Sequence, residues 1–231
     1  MPHIRKIQIP KDILPKLILI GITAAAITVT GILYRQSVLR ILPLYISLII
    51  GALQSRANRY APLLGGFNSI LYMIVYLYLG LYASAGYALL FSCPIQLVTF
   101  VRWSRRKYGT STQFRRLNTK QRILVAVGFL LSFAVLLLVL RAAGSSHQIL
   151  DNLSTLLGIL ISFLTMFACI EYAYLMLPSG IVSMILNLAT MQEHPEQITY
   201  LIFSFYSMVC VTQGFFRVRR LYQEQTGKVT E

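Results

Sequence analysis

Residues 58–103 read NRYAPLLGGFNSILYMIVYLYLGLYASAGYALLFSCPIQLVTFVRW, and this stretch decides the fold. It holds two apolar runs, 61–79 and 82–101, each long enough to cross a bilayer and hinged at Gly80. Asn68, Tyr72 and Tyr76 recur at i, i+4 and i+8, so one helix face presents an amide and two phenols. Gln96, Phe100 and Trp103 recur at i, i+4 and i+7 and make a second such face. Helices that face only lipid have no use for these groups. Helices lining a pocket for a flat, polar, uncharged molecule do.

Composition agrees. The chain has 231 residues, 56% hydrophobic and 12% charged, against about 25% charged in ordinary soluble domains. The long uncharged runs place it in the membrane. A net charge of +14 suggests nucleic acid at first sight, but the basic residues sit between apolar spans and form no soluble basic module. Cys93, Cys169 and Cys210 fall inside spans without CxxC spacing and read as small packing residues. His3, His147 and His194 lie in a terminus or in loops, so no metal site is expected. No cofactor is expected either.

Eight spans are expected, at about 17–34, 39–54, 61–79, 82–101, 123–140, 153–170, 174–189 and 198–216. The second is short and contains Pro43, which neighbouring helices can accommodate. The fold class is an all-α polytopic membrane protein. Residues 1–38 form a cytoplasmic N-terminus and an extra first helix, 39–216 the core, and 217–231 a cytoplasmic tail. Within the core, 39–103 is a first triplet of helices, 104–140 a basic connector plus a spacer helix, and 150–216 a second triplet. With both termini in the cytoplasm, inside segments collect 18 of the 21 basic residues, and Arg35 and Arg40 are the discordant pair outside. The connector residues Arg105, Arg106, Lys107, Arg115, Arg116 and Lys120 read mainly as this orientation signal, with anionic-lipid contact as a secondary reading.

The triplets carry a weak repeat. One ends in Gln96-Leu-Val-Thr-Phe-Val-Arg102 and the other in Gln213-Gly-Phe-Phe-Arg-Val-Arg219. An odd spacer helix between them gives a parallel 3+1+3 duplication. The centres of the spans lack Asp, Glu, Lys, Arg and His, the usual marks of ion coupling, so downhill movement is expected. Glu171, at a span boundary, is the exception closest to the membrane.

Asn68 and Gln96 can donate and accept hydrogen bonds to a ribose diol or a carboxamide, or can tie helices together. Tyr72, Tyr76, Phe100, Trp103 and Tyr206 can stack on a planar ring, with plain packing or an interfacial aromatic belt as the alternatives. Ser183 with Asn187, and Tyr206 with Gln213, are the second triplet's candidates. Asp151 reads as a helix N-cap, and Gly65 and Gly66 as places of close helix approach.

The order Asn58-Arg59-Tyr60, Gly65, Phe67-Asn68, Tyr72, Pro94-Ile95-Gln96, Trp103 and Leu150-Asp151 resembles the PnuC family of vitamin transporters over about residues 40–216. The resemblance implies a trimer of 3+1+3 bundles similar to SWEET sugar transporters. It implies uptake of a nucleoside-like vitamin, most often nicotinamide riboside, trapped inside by phosphorylation. Leu175, Met176 and Pro178 stand where related members tend to have tryptophans, and Arg217 and Arg219 where an aromatic is usual. Relatives handling thiamine, riboflavin or deoxynucleosides keep those substrates open. A membrane enzyme would need an acid/base pair, a nucleophile or metal ligands, which the sequence scarcely offers. A non-transporting scaffold subunit would use Asn68 and Gln96 for assembly.

Overall fold

The computed structural model describes residues 14–78, 88–142, 148–193 and 195–227. Within them the chain is helical: α1 (Leu14–Leu33), α2 (Val38–Gln54), α3 (Tyr60–Tyr78), α4 (Cys93–Arg105), α5 (Thr119–Ala142), α6 (Gln148–Met166), α7 (Glu171–Glu193) and α8 (Ile198–Gln225). A π turn, Ala88–Ser92, leads into α4, and Pro94 occupies that helix's first turn, where its missing N–H costs nothing. The proposed hinge at Gly80, the linker residues Gly144, Ser145 and Ser146, the three histidines, and the side chains of Tyr76 and Asp151 lie outside the described residues.

Among the described residues, four helices are long and apolar enough to cross a membrane: Thr119–Leu138, Gln148–Met166, Glu171–Gln192 and Ile198–Gln225. Two shorter apolar helices, Leu17–Leu33 and Val38–Gln54, accompany them. Their outer surfaces are greasy. On α5, Leu124, Leu130, Leu131 and Leu138 are 64–72% exposed, the state expected where acyl chains replace water.

The helices close a ring. α2 packs on α3, α3 on α4, α4 on α6, α6 on α7, α7 on α8, and α8 back on α2. α5 leans on α6, where the fully buried Asn152 donates from Nδ2 to the Phe133 carbonyl at 2.8 Å. α1 packs against α2 and α8 through an apolar cluster of Ile27, Ile41, Leu44, Leu48, Tyr206 and Cys210. Pro43 does not break α2, which runs through it. The Pro43 carbonyl accepts from Ser47 Oγ at 2.8 Å and from Asn68 Nδ2 of α3 at 3.2 Å, which ties α3 to α2 at the proline.

Two stretches carry structure that the sequence reading did not give. The first is the connector, which is folded. Lys107–Tyr108 (β1) and Ser111–Thr112 (β2) form a short hairpin around Gly109, whose φ of +56° suits glycine. Arg115 then pairs with the α6–α7 turn, its N–H donating to the Ala168 carbonyl and its carbonyl accepting from Ile170, both at 2.9 Å. The second is the polar tail: α8 continues past Arg217 to Gln225. The Gln225 amide accepts from Phe114 N–H at 2.8 Å and donates to the Thr112 carbonyl at 2.9 Å. Hydropathy marks the edge of an apolar stretch, whereas helical hydrogen bonding runs on through the polar turns beyond it.

Gln225 thus clamps the connector onto the end of α8. Gln225→Ala leaves a partly buried N–H and C=O without this partner and is expected to cost about 1–3 kcal/mol. The thermal unfolding midpoint in detergent checks this, and an unchanged midpoint would remove the clamp from the account.

Candidate functional site

The lumen of the ring holds two cavities. The one nearer the connector has a volume of about 170 Å³ and draws its lining from all six ring helices and the α2–α3 turn. Its polar groups are the amides of Gln54, Asn58 and Gln96, the hydroxyls of Thr99, Ser162 and Thr165, the Tyr172 phenol and the Trp103 indole. The second, of about 400 Å³, is lined by the phenols of Tyr72 and Tyr200, the Asn187 amide, and Ser179, Ser183, Ser204 and Ser207. Among the described residues, neither cavity has a charged side chain in its lining. Ile161, Met176 and Val211 belong to both linings and form an apolar waist between them.

Gln96 is the group best placed to meet a ligand. Its amide stands beside Gly65 of α3, and a Cβ at that glycine would fall within the Gln96 carboxamide. Ser69 Oγ lies 3.5 Å from Gln96 Nε2, too long for a strong bond, so the amide keeps donor capacity for a guest. Ser69 Oγ donates its proton to the Gly65 carbonyl at 3.0 Å and accepts from Ser92 Oγ at 2.8 Å, fixing α3 against the π turn that leads into α4. Gly66 faces Leu97 and the Cys93 carbonyl across the same contact, so the glycine pair does bring these helices close.

Trp103 forms the connector-side wall. It is 3% exposed, and its Nε1–H donates to the Thr165 carbonyl at 2.8 Å. Its ring packs edge-on to Phe114, with centroids 5.8 Å apart, and beside Tyr172 at 6.4 Å. A belt residue at the lipid surface would be exposed; this indole is core and cavity wall at once.

The remaining predicted residues separate into groups. Tyr72, Ser183 and Asn187 come together in the wider cavity, where Asn187 Nδ2 donates to Ser204 Oγ at 2.7 Å. Asn68 sits in the α2–α3 contact, 5% exposed and away from both linings, with its Nδ2 given to Pro43 O and Ser47 Oγ. Tyr206 also lies away from both linings: its hydroxyl donates to the Leu48 carbonyl and its ring covers Gly51. Phe100 pairs with Tyr60, centroids 5.8 Å apart, outside the cavities. Gln213 is half-buried on α8 and outside both linings, although its neighbour Gly214 lines the smaller cavity. The proposed counterparts Gln96 and Gln213 therefore occupy different surroundings.

Sequence reasoning overlooked Gln54, Thr99, Ser162, Thr165 and Tyr172. The serine and threonines carried a usable signal, since each is a hydroxyl in an apolar helix. Each also bonds its own helix backbone at i−4, as Thr99 does to Ile95 O at 2.6 Å, and that bond is available to any transmembrane Ser or Thr. Asn58 was visible as part of the Asn-Arg-Tyr sequence; it caps α3 by accepting from Tyr60 N–H at 2.9 Å while lining the cavity.

Comparison with known proteins addresses identity. A family model described as nicotinamide mononucleotide transporter matches residues 37–217. The chain belongs to that family. A crystal structure of the vitamin B3 transporter PnuC superposes with a TM-score of 0.72 at 17% identity, covering 91% of this chain and 92% of that one. The two share the fold. No curated protein matches the chain by sequence. The family match begins after α1 and ends within α8. Membership of this family, together with the long apolar helices, makes the chain a multi-pass membrane protein.

Gly65→Ala tests the placement of Gln96. The methyl group must displace the carboxamide from the cavity, so ligand affinity is expected to fall about tenfold, or about 1.4 kcal/mol. Isothermal titration beside a melting curve separates this from misfolding: affinity drops while the variant still unfolds cooperatively.

Proposed function

We propose that the chain carries a nucleoside-like vitamin, nicotinamide riboside first among them, downhill across the cell membrane, with phosphorylation trapping it inside. The observation that carries this reading is the neutral, amide-rich cavity enclosed by six helices. Gln96, Asn58 and Gln54 offer paired donors and acceptors to a carboxamide and a ribose diol. Trp103 and Tyr172 offer π-faces to a cationic pyridinium ring. A phosphate would demand a cationic partner, and no described lining residue provides one. The riboside therefore suits this lumen better than its mononucleotide. The same surfaces suit thiamine, riboflavin or a deoxynucleoside less specifically.

Eight crossings with cytoplasmic termini and a parallel 3+1+3 repeat complete the reading. Two features support the repeat. Adjacency runs α2–α3–α4 and α6–α7–α8, with α5 to the side. The first helix of each triplet also ends near an alanine of positive φ, Ala57 at 50° and Ala168 at 53°. Rocking of one triplet against the other would open the lumen at alternate ends, with Ile161, Met176 and Val211 as the waist that must part. A homotrimer is part of the reading, and the exposed apolar face of α5 would meet lipid or a neighbouring copy.

Two experiments test this. In a thermal-shift screen of the purified protein, nicotinamide riboside is expected to stabilise it more than nicotinamide mononucleotide, thiamine, riboflavin or uridine, and Gln96→Leu is expected to abolish the shift. Stabilisation by none of them would leave the scaffold reading in its place. In proteoliposomes, Met176→Trp fills the waist and is expected to cut riboside uptake at least tenfold. Uptake at the wild-type rate would place the permeation route elsewhere.

A further inference from the structure

Behind Trp103, on the side away from the central lumen, lies a separate cavity of about 360 Å³. Its lining includes Arg102, Arg105, Arg106 and Arg115, brought together from α4 and the folded connector. These side chains are exposed at the cavity mouth, while Trp103 and Thr112 form a buried inner wall. The arginines come within one cavity because Arg115 is held by its backbone to the α6–α7 turn and Arg106 by hydrogen bonds from Gln113 and Thr112 to its carbonyl. The Arg102 and Arg115 guanidinium groups both sit over the Phe167 ring, 4.6 and 5.4 Å from its centroid. That stacking leaves their N–H edges for a ligand.

Four cations share this space, and no acid lines it among the described residues. Glu171, the first residue of α7, lies outside that lining and accepts through Oε1 from Arg122 at 2.9 Å and from Leu117 N–H at 3.1 Å. The Cys169 thiol lies beside Arg115 and is neutral, since burial pushes its pKa up. Clustered like charges repel, and a multivalent anion offsets that repulsion while accepting bidentate hydrogen bonds. Orientation sorting by positive charge explains basic residues on this side of the membrane. It does not require four of them to converge on one cavity with two ordered on a phenyl ring.

We propose that this cavity binds a phosphate group, one indole away from the neutral lumen. This goes beyond the transport reading and stands without it. The two sites divide the chemistry: the lumen takes a guest without an anionic group, and the arginine cavity takes phosphate. The phosphate could belong to a soluble ester or to a lipid headgroup, and two arms distinguish them.

In the first arm, full-length protein in lipid-free detergent is titrated with ribose 5-phosphate and with inorganic phosphate at constant ionic strength. Saturable binding is expected, weakened at least tenfold in Arg106→Gln/Arg115→Gln. In the second arm, native mass spectrometry follows phosphatidylglycerol retained from mixed nanodiscs, and the same variant is expected to lose it if the headgroup is the occupant. Loss in either arm supports the site and names its source. Equal binding by wild type and variant in both arms overturns it, as does a titration that chloride reproduces. Should the double variant fail to fold, Arg105→Gln, at an exposed position, is expected to weaken the supporting arm about threefold, and no change there overturns the proposal.

Discussion

The ring closes at two seams, α2 against α8 and α4 against α6, and an aromatic side chain crosses each to a backbone carbonyl. Tyr206 Oη donates to Leu48 O, and Trp103 Nε1 donates to Thr165 O. Both carbonyls sit in helices, so these are added bonds made where little water competes. Lipid gives helices no hydrophobic reason to prefer one another to acyl chains, so close packing and polar ties must supply the preference. The α2–α8 seam shows both. A Cβ at Gly51 would lie 2.9 Å from the Tyr206 ring, and one at Gly214 would lie 3.2 Å from the Gln54 carbonyl. Without these closures the six helices would enclose no lumen.

The connector end adds a second constraint. Trp103, Phe114 and Tyr172 pack with Cys169, Ala173, Val218 and Leu221 into a compact core. This core joins the connector, the α6–α7 turn and the end of α8, so three separated stretches of chain meet at the wall of the cavity. The wall is therefore stiff where it touches the smaller cavity and the arginine cavity. The waist sets the flexible, unbranched Met176 against the β-branched Ile161 and Val211, so Met176 is the side chain that can repack. That contrast fits a lumen fixed at one end and adjustable in its middle.

The polar residues of the spans serve two purposes that hydropathy cannot separate. Asn68 and Gln96 look alike on a helix wheel. Asn68 meets a helical proline on α2 and spends both amide hydrogens there. Gln96 meets a glycine on α3, which leaves room for its amide to reach the cavity. Tyr72 and Tyr206 divide in the same way, one to a lining and the other to a seam. What faces each residue makes the difference, and the facing residue lies 25 to 158 positions away in these pairs.

The sequence alone determined that the chain is a helical membrane protein, because uncharged runs of bilayer length leave a backbone no other way to satisfy itself in lipid. It also determined the approximate helix limits, the neutrality of the lumen and the family, the last through residues 58–103. Tertiary structure decided which amides and phenols face inward, that the basic connector folds, and that α8 extends to clamp it. It also decided that four arginines scattered over residues 102–115 share one cavity. These outcomes depend on contacts between distant helices, and the period of a single helix records only that a face is polar, not what that face meets.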